Sequence, residues 1–344
     1  KKEIVNTTNN VGILDMTAFA KCTISGPGAE SFLERFVANK VPKNIGRIGL
    51  CHALNKNGGI HSEFTIQKQS EDKFYLVSAG ALQRLDHDYL QKNMPKDNSV
   101  LFTQETDSIG VLVIAGPKSK KLLQKLTHFD VTNETFPWLT GREIIIDDIK
   151  VNAMRVNYVG ELGWELHHPI SSQNKLFDLC FDAGQEFGIK PFGIRAMDSM
   201  RLEKSYRMVG TELSIEYSAY ESAMDRFIDQ NKTQFIGKEA LIQSQNDGLE
   251  YLLITLEIHD VDDADPIGNN ALLMDGRVIG RATSGGFGFR LNKSLALGMV
   301  KPKYAKPGTQ LDIEILNKTY KATIIIDSPF DPKNERLRDI NEAN

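Results

Sequence analysis

The sequence predicts an α+β fold closed by a small C-terminal β-barrel, and three observations lead there. A strand-helix unit occurs twice, glycine-rich hairpins separate alternating strands, and the texture changes near Leu249 to short strands alone. The two copies of the unit are Ile24-Ser25-Gly26-Pro27-Gly28-Ala29-Glu30-Ser31-Phe32-Leu33-Glu34-Arg35-Phe36 and Ile114-Ala115-Gly116-Pro117-Lys118-Ser119-Lys120-Lys121-Leu122-Leu123-Gln124-Lys125-Leu126. Each ends a strand, punctuates with Gly-Pro, then spaces apolar residues at i, i+1 and i+4, the spacing of one helical face. The shared periodicity and punctuation point to duplication rather than chance.

Between the copies, Cys51-His52-Ala53-Leu54-Asn55 and Ile60 to Gln67 read as strands joined by Lys56-Asn57-Gly58-Gly59, a hairpin. Alternation sends His61, Glu63 and Thr65 to one face and Ile60, Ser62, Phe64 and Ile66 to the other. A second hairpin is expected from Asp148 to His168, with Glu161-Leu162 as a two-residue turn that pairs Gly160 with Gly163 and Tyr158 with Glu165. Ser171 to Phe187 has helical spacing and a stop at Gly188, and Ala196 to Tyr206 is a further helix. Beyond Leu249, turns at Asp275-Gly276, Pro307-Gly308 and Asn317-Lys318 separate barrel strands. The boundaries that follow are a core over 1–248, a barrel over 249–330 and a charged tail over 331–344.

Composition excludes several classes. A formal charge of -4 and a pI near 6.0 leave no basic surplus for nucleic acid. No apolar run reaches the length of a membrane span, and KKEIVNTTNNVGILD has no apolar stretch of a signal peptide. Cys22, Cys51 and Cys180 lie far apart without a CxxC pair, as expected in a reducing compartment such as the cytoplasm. The histidines show no metal spacing; His167 and His168 alternate faces on a strand. The acidic run Asp260, Asp262, Asp263 and Asp265 lacks the glycine and final glutamate of a calcium loop and reads as a solvated connection. Gly285-Gly286-Phe287-Gly288-Phe289 is neither a phosphate loop nor a dinucleotide fingerprint.

Two places carry candidate chemistry. In YVGELGWEL at 158–166, a phenol and a carboxylate flank a tight bend, and the carboxylate offers two acceptors to a ligand with adjacent N–H donors. On spacing alone, an ordinary hairpin with a solvated Glu165 is the better explanation. Glu63 with Thr65 forms a second polar pair, the acid suited to accept a proton, but on sequence alone an exposed strand face is the commoner explanation of that pattern.

Taken in order, VGILDMTAF at 11–19, the GGI hairpin, VLVIAGPKS, YVGELGWEL, RAMDSMRLEKSYR, QFIGKEAL at 234–241 and TSGGFGFRLNKSLALGMV resemble the folate-binding aminomethyltransferase family, the T-protein of glycine cleavage and its relatives. RIGLCHAL, SEFTI, GIRAMDSMRLEK, YESAMDRFI and the VDDADPIG loop are more similar to the C-terminal folate half of dimethylglycine and sarcosine dehydrogenases. The resemblance implies a three-domain cloverleaf around a central tetrahydrofolate. It also implies capture of a one-carbon unit from an N-methylated glycine as 5,10-methylenetetrahydrofolate. Tyr158 and Glu165 match pterin-holding positions, Glu63 the acid that assists proton transfer and Thr65 a neighbouring folate contact. Phe64, Leu166, His167 and Arg226 match flanking contacts.

Some positions depart from the family. Ser62-Glu63 stands where the T-protein has two aspartates, Met197 replaces the arginine of its ARD motif, and Glu335 occupies the place of a tyrosine contact. The missing arginine leaves the usual clamp on the folate tail in question. Arg201 and Glu203 match the family's RLE and read as a helix-anchoring pair. With no FAD fingerprint, the chain is expected to be an excised or separately encoded folate half, the FAD residing on a missing domain or a dehydrogenase partner. Two alternatives stand beside this reading: a stand-alone folate-dependent demethylase or aminomethyltransferase, and a non-catalytic regulatory module on the same fold.

Overall fold

The computed structural model describes residues 1–261 and 264–339. Two sheets and a closed barrel hold the chain's strands. The five-stranded sheet is antiparallel, in the order Ile48–Leu54, Ile60–Ser70, Lys73–Ser78, Ala20–Ser25 and Leu101–Gln104. The six-stranded sheet runs Ile189–Pro191, Val11–Asp15, Ile109–Ala115, Gly163–Pro169, Ile149–Met154 and Gly141–Ile146, and only its first pair is parallel.

The duplicated unit puts one copy in each sheet. Strand Ala20–Ser25 feeds helix Ala29–Phe36, and strand Ile109–Ala115 feeds helix Ser119–Leu126. The turns between them rest on Gly26 (φ +106°) and Gly116 (φ +124°), where a β-carbon would lie 2.5 Å from the Ser99 carbonyl oxygen and 2.3 Å from that of Asn10. Only glycine meets both demands. Phe32, Leu33 and Phe36 then seal one core with Phe64, and Leu122 and Leu123 seal another with Trp164 and Leu166.

The residues from Leu252 to Ile325 form a closed six-stranded antiparallel barrel filled by residues such as Leu256, Leu272 and Ile313. Its hairpin at Asp275-Gly276 lies as predicted, both residues at positive φ. The last hairpin turns on Leu316-Asn317, one residue earlier than predicted. The predicted helices appear as Gln173–Gly184, extended by a short turn to Phe187 and stopped at Gly188 (φ +70°), and Ile194–Glu203. Asp262 and Asp263 of the acidic run, and with them part of the VDDADPIG loop, lie outside the described residues.

Three expectations change. Strand Ile149–Met154 ends before Tyr158, and Glu165 pairs with Met154, so 155–162 is a loop and not a two-residue turn. Asn157 enforces this: its Oδ1 accepts from the amides of Val159 and Gly160 and its Nδ2 donates to the Glu161 carbonyl. Second, residues 331–339 do not run free as a tail: Leu337 is buried, Arg338 lies over the Trp138 ring, and Arg336 donates to Glu161 and to the Thr8 carbonyl. Third, Arg201 and Glu203 anchor their helix as expected, but through separate partners rather than through each other. Arg201 binds Asp198, the Tyr206 carbonyl and Glu212, whereas Glu203 belongs to the network around Arg290.

Arg290, on the barrel's link between Arg277–Gly288 and Lys293–Val300, is fully partnered and buried. Its guanidinium reaches Glu203, Glu161 (3.0 Å), and the carbonyls of Val159 (3.0 Å) and Met200 (2.6 Å), with the Phe330 ring 3.8 Å from its centre. One side chain therefore ties together the barrel, helix Ile194–Glu203, the 155–162 loop and the C-terminal segment. Removing one partner from a buried charge network leaves the others unpaired, so Arg290→Met should lower the unfolding free energy by about 3–5 kcal/mol. Urea denaturation measures this, and a loss below about 1 kcal/mol would show the network to be dispensable.

Candidate functional site

The two sheets meet through polar side chains. On the five-stranded sheet, cross-strand partners share a face, so Glu63 sits beside His52, Thr65 beside Val77, and Gln67 beside Tyr75. On the six-stranded sheet Glu165 sits beside Met154 and Val113, and His167 beside Asn152 and Val111. These faces are joined by Gln67 and Asn152, which exchange two amide hydrogen bonds (2.7 and 3.2 Å), and by Tyr75 and His167 (3.0 Å). Ile48, Tyr75, Val77 and Met154 pack in the same interface.

Glu165 is buried within this junction, its side chain only 10% exposed. Its Oε2 lies 3.1 Å from His167 Nε2, and His167 Nδ1 lies 3.0 Å from the Tyr75 hydroxyl. Burial holds the Tyr75 phenol well above its ordinary pKa, helped by the nearby charges of Glu105 and Glu165. The partners then assign the protons: Tyr75 donates to Nδ1, and Nε2–H donates to Glu165. Among the described residues, no donor meets the other carboxylate oxygen, Oε1. That oxygen is left to solvent or to a ligand.

Glu63 is built in a similar way. Its Oε2 lies 2.8 Å from Nε2 of the fully buried His52, and its side chain is 19% exposed. Again only one oxygen is engaged among the described residues. Tyr158, on the 155–162 loop, packs against the apolar cluster to which Val111 and Val113, the strand neighbours of His167 and Glu165, belong, so phenol and carboxylate lie on one side of the sheet without being paired in register. The Tyr158 hydroxyl donates to the Arg207 carbonyl, and its ring lies 5.8 Å from that of Tyr206. Burial pushes the Tyr158 phenol far up; Arg201 opposes this and the charge of Glu63 adds to it.

The remaining predicted residues divide. Thr65 is half-buried on the Glu63 face. Arg226 is exposed at the rim, its guanidinium 4.8 Å over the Phe227 ring, which itself abuts His52. The His167 side chain is committed to Glu165 and Tyr75. Phe64 and Leu166 are corrections: both side chains point to the far faces of their sheets and fill cores, Phe64 against Phe36 and Leu166 beside Trp164, which leaves only their backbones to the interface. His61 also departs from expectation. A bulge opposite Leu54 takes it out of alternation, and it stacks on Tyr89 (3.8 Å) on the side of Phe36.

Sequence reasoning missed Tyr75, His52, Gln67 and Asn152. His52 was legible, because counting back through the Lys56–Gly59 turn pairs it with Glu63; nothing in the sequence announces the other three. No cluster of potential metal ligands is present among the described residues. No helix there is long and apolar enough to cross a membrane. A cavity of about 370 Å³ lies elsewhere, lined by Phe32, Arg35, Phe36, Asn93, Phe235 and Ile236, and contains none of the predicted residues. The acids, not the volume, mark the candidate site.

Family models match nearly the whole chain: the GCVT N-terminal domain over residues 1–232 and the glycine cleavage T-protein C-terminal barrel domain over residues 252–331. The chain belongs to the glycine cleavage T-protein family. An aminomethyltransferase of Natranaerobius thermophilus is 32% identical over 330 residues, covering 95% of this chain and 89% of that protein. The mitochondrial dimethylglycine dehydrogenase of Rattus norvegicus is 37% identical over 317 residues, 92% of this chain but only 37% of the dehydrogenase. The chain thus spans little more than a third of that relative's length. The crystal structure of the glycine cleavage system aminomethyltransferase T from Bartonella henselae superposes with a TM-score of 0.86 at 23% identity, covering 96% of this chain and 89% of that one, and shows the same fold.

Beside Glu63, Ser62 donates to the buried Asp86 (2.7 Å), whose pKa burial raises to about 6 against the hydroxyl donors of Ser62 and Ser78. A native carboxyl that holds its proton more tightly than the unfolded chain contributes stability that is full below the unfolded value and is lost as pH rises through the folded one. Asp86 should therefore cost about 3 kcal/mol of unfolding free energy between pH ~4 and ~6. Asp86→Asn should flatten that slope in urea titrations across the same range, and an unchanged slope would contradict the assignment.

Proposed function

We propose that the chain binds tetrahydrofolate between its two sheets and catalyses one-carbon transfer, capturing the methyl-derived carbon of an N-methylated glycine as 5,10-methylenetetrahydrofolate. The observation that carries this reading is the pair of carboxylates, Glu63 and Glu165, each with one oxygen engaged by a buried imidazole and the other without a partner among the described residues. Such acceptors suit a ligand edge rich in N–H donors, and the ring and amino groups of a reduced pterin are that edge. When bound, tetrahydrofolate supplies the nucleophilic nitrogen.

The protein's part is orientation and proton handling. Glu165 Oε1 accepts from the pterin ring N–H and amino group, Tyr158 presents its ring beside them, and Thr65 and the backbones of Phe64 and Leu166 line the flanks. Glu63, the more exposed acid, accepts the proton released as the carbon is captured. Arg226 offers a cation at the rim, where Met197 cannot serve the folate tail. The preceding oxidation belongs to an FAD-dependent dehydrogenase domain or subunit, supported by the likeness to dimethylglycine dehydrogenase and by the short share of it that this chain spans. Three buried free thiols support a reducing compartment such as the cytoplasm. The near end-to-end match to an aminomethyltransferase favours a second reading, a stand-alone transferase. Turnover of an N-methyl donor with tetrahydrofolate and no flavoprotein would select it.

Calorimetric titration with tetrahydrofolate tests the central assignment. Hydrogen bonds to a charged acceptor are worth about 1.5–3 kcal/mol, so Glu165→Ala should weaken binding by roughly tenfold or more. Unchanged affinity would remove the pterin site from Glu165. Glu63→Gln should keep binding within a few-fold while capture of formaldehyde by bound tetrahydrofolate slows by about 10²-fold or more; equal rates would take the proton from another group.

A further inference from the structure

We propose that His52 is a positioning residue for Glu63: its Nε2–H holds one carboxylate oxygen and turns the other toward the ligand. This rests on the reading above, in which Glu63 accepts the proton. The geometry has three parts. His52 is completely buried, its Nε2 lies 2.8 Å from Glu63 Oε2, and its Nδ1 is buried with no partner among the described residues.

The unpartnered Nδ1 decides the role. An imidazolium carries a proton on both nitrogens, so protonating His52 would place an N–H donor against apolar surroundings with nothing to receive it. Moving the lone proton to Nδ1 would do the same and would also turn a lone pair toward the carboxylate. His52 is therefore confined to one neutral tautomer, a fixed donor to Glu63 and not a second base. The Phe227 ring, edge-on at 5.5 Å, closes its other side.

The buried phenol and thiol packed nearby stay neutral. Burial raises the Tyr158 phenol, and raises the neighbouring Cys51 thiol to about 12. Arg226, on the turn Asp225–Phe227 packed over His52, contributes a positive charge. Within the hairpin, His61 is turned away onto Tyr89. Glu63 and His52 also sit opposite in register, so the hairpin backbone fixes their separation.

Two substitutions separate donation from mere filling. Glutamine places an amide N–H near the position of Nε2, whereas leucine fills the space without a donor. With the full chain labelled at glutamate δ-carbons, and Glu63 assigned through Glu63→Gln, the Glu63 carboxyl is titrated by NMR in each variant. His52→Leu should raise its midpoint by about one unit, and His52→Gln should stay within about 0.3 unit of wild type. The acidic limb of the pH profile for tetrahydrofolate-dependent formaldehyde capture should move in parallel. An unmoved midpoint in His52→Leu, or a glutamine variant that shifts as far as leucine, would overturn the proposal. Should His52→Leu not fold, His52→Asn, whose amide reaches only the Nδ1 position, takes its place with the same expectation. If the wild type shows no folate-dependent turnover while the midpoint still moves, the functional reading fails and the assignment of His52 stands.

Discussion

The buried ion network centred on Arg290 is the constraint on which the rest of the structure depends. A barrel, a helix, an irregular loop and a C-terminal segment have no common sheet to align them, and apolar packing alone is indifferent to small slides. A guanidinium has directions. By bonding Glu203, Glu161 and two carbonyls at once, Arg290 accepts a single arrangement of those four parts. Glu161 is gripped from the other side by Arg336 (2.8 Å), and the stem of Lys204 fills the space over Gly160 that a β-carbon would occupy. The loop between them carries Tyr158. An irregular segment thus holds an aromatic ring in place through charges that never touch that ring.

The same economy governs the two acids. Each carboxylate is oriented by an imidazole from its own sheet, but the imidazoles are restrained by opposite means. His167 is fixed because Tyr75, from the other sheet, fills its second nitrogen. His52 is fixed because nothing does. The first arrangement makes the orientation of Glu165 depend on how the sheets dock; the second makes that of Glu63 a local property of one hairpin. A ligand between the sheets would therefore meet one acid set by the assembly of the fold and one set before it.

Much of this was legible in the sequence, and for physical reasons. The duplicated units could be read because Gly26 and Gly116 perform the same backbone task before helices of the same apolar spacing. The barrel announced itself through turns that demand positive φ, as at Asp275-Gly276. Glu165 and Tyr158 were expected on one side through a short turn; Asn157 builds a loop there instead, and Tyr158 comes to that side by packing on the cluster that includes Val111 and Val113 rather than by pairing. Phe64 and Leu166 were expected from the resemblance alone, and on their strands each side chain lies on the side opposite the neighbouring acid. Tyr75, Gln67 and Asn152 were out of reach because contacts between sheets leave no local pattern. The C-terminal residues misled through composition, since charges that look solvated from sequence are here matched to Glu161, Trp138 and the Thr8 carbonyl on three other segments.

The bulge at His61 has a consequence for how such a hairpin tolerates change. Because one extra residue sits opposite Leu54, Ser62 faces inward to Asp86 and Glu63 outward to the junction. Deleting that residue, or adding another beside it, would invert the phase of everything downstream to Ser70: the carboxylate would enter an aromatic core and Phe64 would emerge among the polar groups. Packing on both sides of the strand thus fixes the residue count between the kink and the acid, and Gly58 and Gly59, pressed against Leu241 and Ile215, leave the hairpin tip little more latitude.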